Sequence, residues 1–286
     1  MTLAETLRRL LEGPDLLVVP TCFDALSARL TREAGFPIAF MSGFAVAATR
    51  LGMPDTGLIS FAEMVDQLRG ICNAVPGLPV IGDGDTGYGN AMNVRRTVVE
   101  YARAGAACIM IEDQVSPKRC GHFEGKQVVS REEARMKIRA AVEARAEADI
   151  LILARTDARA VHGFAAALER CRDFEEEGAD LVFLEAPQSE QELADFAQAM
   201  RKPTVANLAP GGKTPMVPRA RLREMGIRMA CYHPLLFSAV RAMQDALAAL
   251  RRDDAAKAPA TVGFDDIKRI VGLPEYTELE TRYRTE

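Results

Sequence analysis

The chain has 286 residues, 48% of them hydrophobic, with mean hydropathy close to zero, so it can bury the core of one α/β barrel or of two small domains. Its 36 basic and 40 acidic residues leave a net charge of −4 and are scattered along the chain, which gives no electrostatic footprint for nucleic acid. No apolar run approaches the roughly 20 residues that cross a bilayer, Met1-Thr2-Leu3-Ala4-Glu5 does not read as a secretory signal, and six cysteines without a CxxC pair predict a reduced, cytoplasmic protein.

Leu3, Leu7, Leu10 and Leu11 recur at helical spacing before Gly13-Pro14, which predicts a short amphipathic helix covering something apolar. The continuous apolar run 16–20 then fits a strand buried on both faces. A helix follows over 24–34, closed by Gly35, and the next strand is 38–41. The alternation continues with strands over 79–82, 108–111, 150–154, 181–184, 204–206 and 228–231. Helices are predicted over 94–104, 131–146, 164–177, 190–200, 218–225 and 235–250. Several helices end in a small-residue phrase such as Ala104-Gly105-Ala106 or Glu177-Gly178-Ala179, where glycine supplies the left-handed terminus that turns the chain into a strand.

Eight strands, each followed by helical sequence, predict a parallel (β/α)8 barrel over residues 1–250, with an open doubly wound sheet as the alternative. Residues 251–259 are polar, alanine-rich and end in proline, as a linker or a fraying helix end would. Apolar residues return at Phe264, Ile267, Ile270, Val271, Leu273, Tyr276, Leu279 and Tyr283. This C-terminal tail is too short to fold alone and must dock on the barrel or on a neighbouring subunit.

In such a barrel the strand ends converge on one face. Here they deliver Ser42-Gly43-Phe44, Asp83-Gly84-Asp85, Glu112-Asp113, Arg155-Thr156-Asp157, Glu185, Asn207 and Tyr232-His233. Solvation alone does not account for so complete a polar ring. Asp83, Asp85 and Glu112 form an all-oxygen set that suits Mg2+ or Mn2+ and disfavours zinc. Arg155 is placed to pair with Glu185, to grip a substrate carboxylate, or both. Asn207, Gly211-Gly212-Lys213-Thr214, Ser42 and Gly43 offer donors to an anion. The glycines lack Walker spacing, so no nucleotide site is read. His162 reads as structural, and His233 as either a ligand contact or a rim residue. In the loop after strand four, Cys120 stands among Lys118, Arg119 and His122, cations that favour a thiolate.

Several phrases occur in register: Gly52-Met53-Pro54-Asp55, Asp83-Gly84-Asp85-Thr86-Gly87, Glu112-Asp113-Gln114, Pro117-Lys118-Arg119-Cys120-Gly121-His122, Gly125-Lys126, Ala154-Arg155-Thr156-Asp157-Ala158 and Glu185-Ala186-Pro187. As a set they resemble the isocitrate lyase and phosphoenolpyruvate mutase superfamily, nearest to its dimethylmalate lyase, methylisocitrate lyase and petal death protein group. The resemblance implies Mg2+ at Asp83, Asp85 and Glu112, with Asp55 in the outer shell. It implies a substrate site shaped by Ser42, Gly43, Phe44, Gly121, Arg155, Glu185, Asn207 and His233. The loop carrying Lys118, Cys120 and His122 would close over substrate, and the last barrel helix would be exchanged between subunits in a dimer of dimers.

The implied reaction is retro-aldol cleavage of a 2-hydroxy dicarboxylate into an α-keto acid and a second carboxylate, with Cys120 returning the proton. The alternatives are oxaloacetate hydrolysis or decarboxylation, a phosphorus–carbon reaction that the Cys-Gly-His loop disfavours, and a non-catalytic dicarboxylate binder. Three positions depart from the group's pattern: Phe40 replaces a tyrosine of some members, Pro210 an acidic residue, and His233 extends the usual Tyr-Pro-Leu phrase.

Overall fold

The computed structural model describes residues 1–252 and 260–285; the expected linker lies largely outside them. Eight parallel strands close into a barrel in sequence order: β1 (Leu17–Cys22), β2 (Ala39–Met41), β3 (Val80–Asp83), β4 (Cys108–Glu112), β5 (Leu151–Thr156), β6 (Leu181–Leu184), β7 (Thr204–Leu208) and β8 (Met229–Tyr232). Closure is made where Leu17 pairs with Met229 and Pro20 with Tyr232. The doubly wound alternative is thereby excluded.

The helices are α1 (Leu3–Glu12), α2 (Ala25–Glu33), α3 (Gly43–Val46), α4 (Phe61–Ala74), α5 (Ala91–Arg103), α6 (Arg131–Ala144), α7 (Ala158–His162), α8 (Phe164–Glu176), α9 (Glu190–Ala199), α10 (Arg219–Met225), α11 (Pro234–Arg251), α12 (Phe264–Val271) and α13 (Leu273–Tyr283). The sequence reading missed α4, although its start is written in the chain. The Ser60 side chain accepts from the Glu63 N–H, and the Glu63 carboxylate accepts from the Ser60 N–H, so two otherwise orphaned donors are satisfied.

Two apolar layers hold the barrel. One lies between the strands and the surrounding helices; the other fills the barrel itself. The inner layer includes Leu17 and Val19 of β1, Phe40, Ile81, Cys108 and Met110 of β4, Leu151 and Leu153 of β5, Leu181 and Phe183 of β6, Val205, and Met229 and Cys231 of β8. Ala4, Leu7 and Leu11 of α1 join it, so the first helix plugs the bottom of the barrel. That is the apolar surface its leucine spacing required.

Side chains alternate between the two faces of a strand, so each inward row continues two residues on. The next position is Thr21, Ser42, Asp83, Glu112, Arg155, Glu185, Asn207 and His233 in turn. A single parity rule places one polar residue from every strand, or from the residue just beyond it, on the top layer. The apolar plug below and the polar ring above are one pattern.

Candidate active site

The ring opens into a cavity of about 220 Å³ whose wall includes Ser42, Phe44, Asp55, Asp83, Glu112, Lys118, Cys120, Gly121, His122, Arg155, Glu185, Asn207 and His233. Pockets for drug-sized ligands run from about 300 Å³ upward, so this space suits a small metabolite. Gly43 and Asp85 stand behind the wall. His162 is exposed at the end of α7 and is not part of the cavity wall.

The acidic side is built from β2, β3 and β4. The Tyr101 hydroxyl, fully buried, donates to the Asp83 carbonyl at 2.7 Å and pins the end of β3. The Asp85 N–H donates to Asp83 Oδ1 at 3.1 Å, and the Gly43 N–H donates to Asp83 Oδ2 at 3.0 Å. Gly43, expected to present its N–H to an anion, therefore spends it on Asp83. A Cβ at residue 43 would sit 2.8 Å from Asp83 Oδ2, so the close approach requires glycine. Burial, with Asp85 beside it, raises the Asp83 carboxyl above its ordinary range. Glu112 is raised further, chiefly by burial and against the pull of Arg155.

Lys118 enters this cluster from the loop. Its Nζ lies 2.6 Å from Asp55 Oδ1 and 2.7 Å from Asp85 Oδ1, though neither contact has the alignment of a hydrogen bond. Burial works against the ammonium, but Asp85 and Asp55, helped by Asp83 and Glu112, outweigh it and hold Lys118 well above its usual value. The expectation that Lys118 lowers the Cys120 thiol is corrected by this geometry. Lys118 is committed to carboxylates, the Arg119 side chain is exposed, and burial pushes the Cys120 thiol up to about 11. Burial therefore favours the protonated thiol over the thiolate at neutral pH.

The cationic side is held by residues to which no role had been given. Arg155 donates to Asp157 through Nε at 2.9 Å and Nη2 at 3.1 Å, while Glu112 and Glu185 stand off at 3.4 and 3.7 Å. The anticipated Arg155–Glu185 pair is thus secondary to a two-point clamp by Asp157. Lys126 donates to the same carboxylate at 2.8 Å and also to the Gly121 carbonyl, tying the loop to β5. Burial would raise Asp157, but Arg155 and Lys126 prevail and hold it at about 2. Gly121 rests directly on this clamp: a Cβ there would lie 2.5 Å from Arg155 Nη2 and 2.6 Å from Glu185 Cδ.

The glycine segment after β7 lines the cavity through Gly211 and Gly212 and also holds the loop. The Lys213 N–H donates to His122 Nδ1 at 3.4 Å, and Lys213 Nζ donates to Glu124 at 2.6 Å. His122 Nε2 faces Glu185 Oε1 at 3.7 Å. Phe44 stacks on Phe237 of α11 with ring centroids 6.4 Å apart, giving the cavity an apolar wall that the strand ends did not announce.

Among the described residues no three His, Cys, Asp or Glu side chains form a ready-made metal cage. The donor set nevertheless fits a hard cation. Asp55, Asp83, Asp85 and Glu112 are all buried, and Glu112 Oε1 has no hydrogen-bond partner among the described residues. The carboxylates outnumber the cations that face them, and the raised Asp83 and Glu112 are the groups whose ionisation a divalent ion would favour.

A family model described as phosphoenolpyruvate phosphomutase matches residues 7–251. The chain is 41% identical to 2,3-dimethylmalate lyase of Eubacterium barkeri, covering 100% of this chain and 99% of that one. It superposes on oxaloacetate acetylhydrolase in complex with the inhibitor 3,3-difluorooxalacetate with a TM-score of 0.93 at 36% identity, covering 98% of this chain and 96% of that one. Phosphonopyruvate hydrolase in complex with oxalate and Mg++ superposes with a TM-score of 0.87 at 30% identity, covering 99% of both chains. Barrel, strand-end ring and these relatives agree, and the chain belongs to the phosphoenolpyruvate mutase/isocitrate lyase superfamily of lyases and mutases.

Proposed function

We propose that this enzyme is a Mg2+-dependent carbon–carbon lyase that cleaves a malate-like 2-hydroxy acid with carboxylates on C2 and C3, a dicarboxylate of the 2,3-dimethylmalate type or a tricarboxylate of the 2-methylisocitrate type, into an α-keto acid and a second carboxylate. The observation that carries the reading is a buried Cys120 facing the same small cavity as a carboxylate cluster and the clamped Arg155. When bound at Asp83, Asp85 and Glu112, with Asp55 behind, Mg2+ would stabilise oxygen charge as the carbon–carbon bond breaks.

The chain's own residues do the rest. Arg155, Asn207 and Ser42 hold the substrate carboxylates, Arg155 being kept rigid by Asp157. The 2-hydroxyl gives its proton to the Glu185 carboxylate, whose Oε1 has no hydrogen-bond partner among the described residues and which lines the cavity. The C2–C3 bond breaks, C2 becomes the keto carbon, and the electron pair departs on C3 as an enediolate. Cys120 Sγ–H delivers the proton that this carbon needs. Loop closure, fixed by Lys118 on the acidic side and Lys126 on the cationic side, excludes water from an intermediate that water would quench.

Phe44 and Phe237 provide an apolar surface for an alkyl group, which favours a substituted malate over bare oxaloacetate. Oxaloacetate hydrolysis or decarboxylation is the second reading, favoured by the likeness to oxaloacetate acetylhydrolase. The assembly belongs to the same proposal. Phe237, Val240, Met243, Leu247 and Leu250 make an exposed stripe along α11, the helix that completes the barrel sequence. A second copy of the chain would cover it, with α11 exchanged and the 260–285 tail docked nearby. The test is keto-acid release from a panel of 2-hydroxy diacids with Mg2+, with an EDTA control and oxaloacetate consumption run in parallel. Release abolished by EDTA supports the lyase, whereas consumption of oxaloacetate alone transfers the assignment to the second reading.

A further inference from the structure

Thr21, His233, Asn207 and Glu185 form a continuous chain along the top of β1, β8, β7 and β6. Thr21 Oγ1 lies 3.1 Å from His233 Nδ1, His233 Nε2 lies 2.6 Å from Asn207 Oδ1, and Asn207 Nδ2 lies 3.4 Å from Glu185 Oε2. Its polarity follows from one end. A carboxylate only accepts, so the amide nitrogen of Asn207 faces Glu185 and the amide oxygen faces His233. His233 must then carry its proton on Nε2, leaving Nδ1 bare to accept from the Thr21 hydroxyl. Burial keeps the imidazole neutral, pushing its pKa down to about 4 against the pull of Glu185.

We propose that His233 is a positioning residue that fixes the amide of Asn207, so that the ring presents an N–H donor to a substrate carboxylate. An amide half-turned about its last torsion exchanges donor for acceptor with almost no change of shape. Without His233 the amide keeps only its longer 3.4 Å link to Glu185 and loses the 2.6 Å bond that holds its oxygen, so its N–H is free to swing away from an incoming carboxylate. Thr21 donates to the bare Nδ1 and so steadies the plane of the ring. The residue that departs from the group's usual phrase therefore supports the orientation of a group that meets the substrate. This inference rests on the reading of the cavity as a diacid site.

Two measurements test it separately from that reading. Nitrogen-15 NMR of the three imidazoles in the intact protein should show His233 as the neutral Nε2–H tautomer at pH 7, and Thr21→Val should keep that tautomer because Asn207 Oδ1 still accepts from Nε2. An Nδ1–H tautomer or an imidazolium in the wild type overturns the proposal. Calorimetric titration with oxalate in the presence of Mg2+ then measures the effect on an anion. His233→Leu should bind oxalate roughly tenfold more weakly, the loss of one oriented hydrogen bond, and should raise KM for the diacid more than it lowers kcat. His233→Gln, whose amide can still donate to Asn207, should return binding to within about threefold of the wild type. Unchanged oxalate affinity in His233→Leu, or equal loss in both variants at an unchanged melting temperature, overturns the positioning role. A wild type with the Nε2–H tautomer that binds neither oxalate nor any diacid sinks the diacid reading and, with it, the substrate-facing part of the proposal.

Discussion

Cys120 and Asp157 illustrate what a sequence reading gets right and wrong about a single side chain. The Lys-Arg-Cys-Gly-His phrase located the thiol at the site, but charge along the chain is not charge in space. Lys118 turns away to Asp55 and Asp85, so burial decides the titration and the thiol stays protonated to about 11. A step that needs Cys120 as an acid should persist through pH 9 and fade only as pH approaches that value; a profile falling between pH 7 and 8 would assign the proton to another group. Asp157 was quoted in a motif and given no role, because nothing in a strand-end aspartate says which cation it will clamp. Asp157→Ala leaves Arg155 and Lys126 buried without their shared partner, and should cost about 3–5 kcal/mol in urea unfolding at pH 7. Its pKa is lowered on folding, so its stabilisation is complete above the ordinary 3.8 and vanishes as pH falls through about 2. The gap between wild type and variant should therefore narrow only in strong acid, and a pH-independent gap would point to lost packing instead.

The loop between β4 and α6 shows how an element is fixed from both ends. Lys118 and the Cys120 N–H attach it to Asp55, the latter through the Asp55 carbonyl at 2.9 Å, and Lys126 attaches it to Asp157. Between these anchors Gly121 rests against Arg155 and Glu185, neither of which can move without breaking buried contacts. Gly121→Ala should therefore hold the loop off the ring. We expect kcat/KM to fall at least about a hundredfold, the cost of misplacing a catalytic group by an ångström, with little change in melting temperature. A variant of near wild-type activity would show that the loop does not need this seat. The sequence displayed the loop's glycine but not its reason, which is the approach of two side chains carried by β5 and β6.

At the scale of the whole molecule, the barrel was legible because buried parallel strands and amphipathic helices have different periods, and because glycines mark the turns between them. The top layer was legible too, by counting two residues on from each inward apolar position; that count finds Thr21, which the inspection of strand ends passed over. Phe237 was not legible, since it comes from a helix and reaches the cavity by packing on Phe44. The apolar stripe on α11 extends the argument to assembly: sedimentation should show an oligomer, and Met243→Glu with Leu247→Glu should yield smaller species, whereas a monomeric wild type would refute the exchanged helix.

Cleavage of a carbon–carbon bond with protonation by Cys120 is read out by proton NMR of a 2,3-dimethylmalate-type diacid incubated with enzyme and Mg2+ in D2O. The products should be α-keto acid and second carboxylate in equal amounts, with deuterium on the carbon released from C3, and Cys120→Ser should lower turnover about 10²–10⁴-fold with metal binding retained. Intact diacids together with oxaloacetate converted to other products, or undiminished cleavage by Cys120→Ser, would contradict that mechanism.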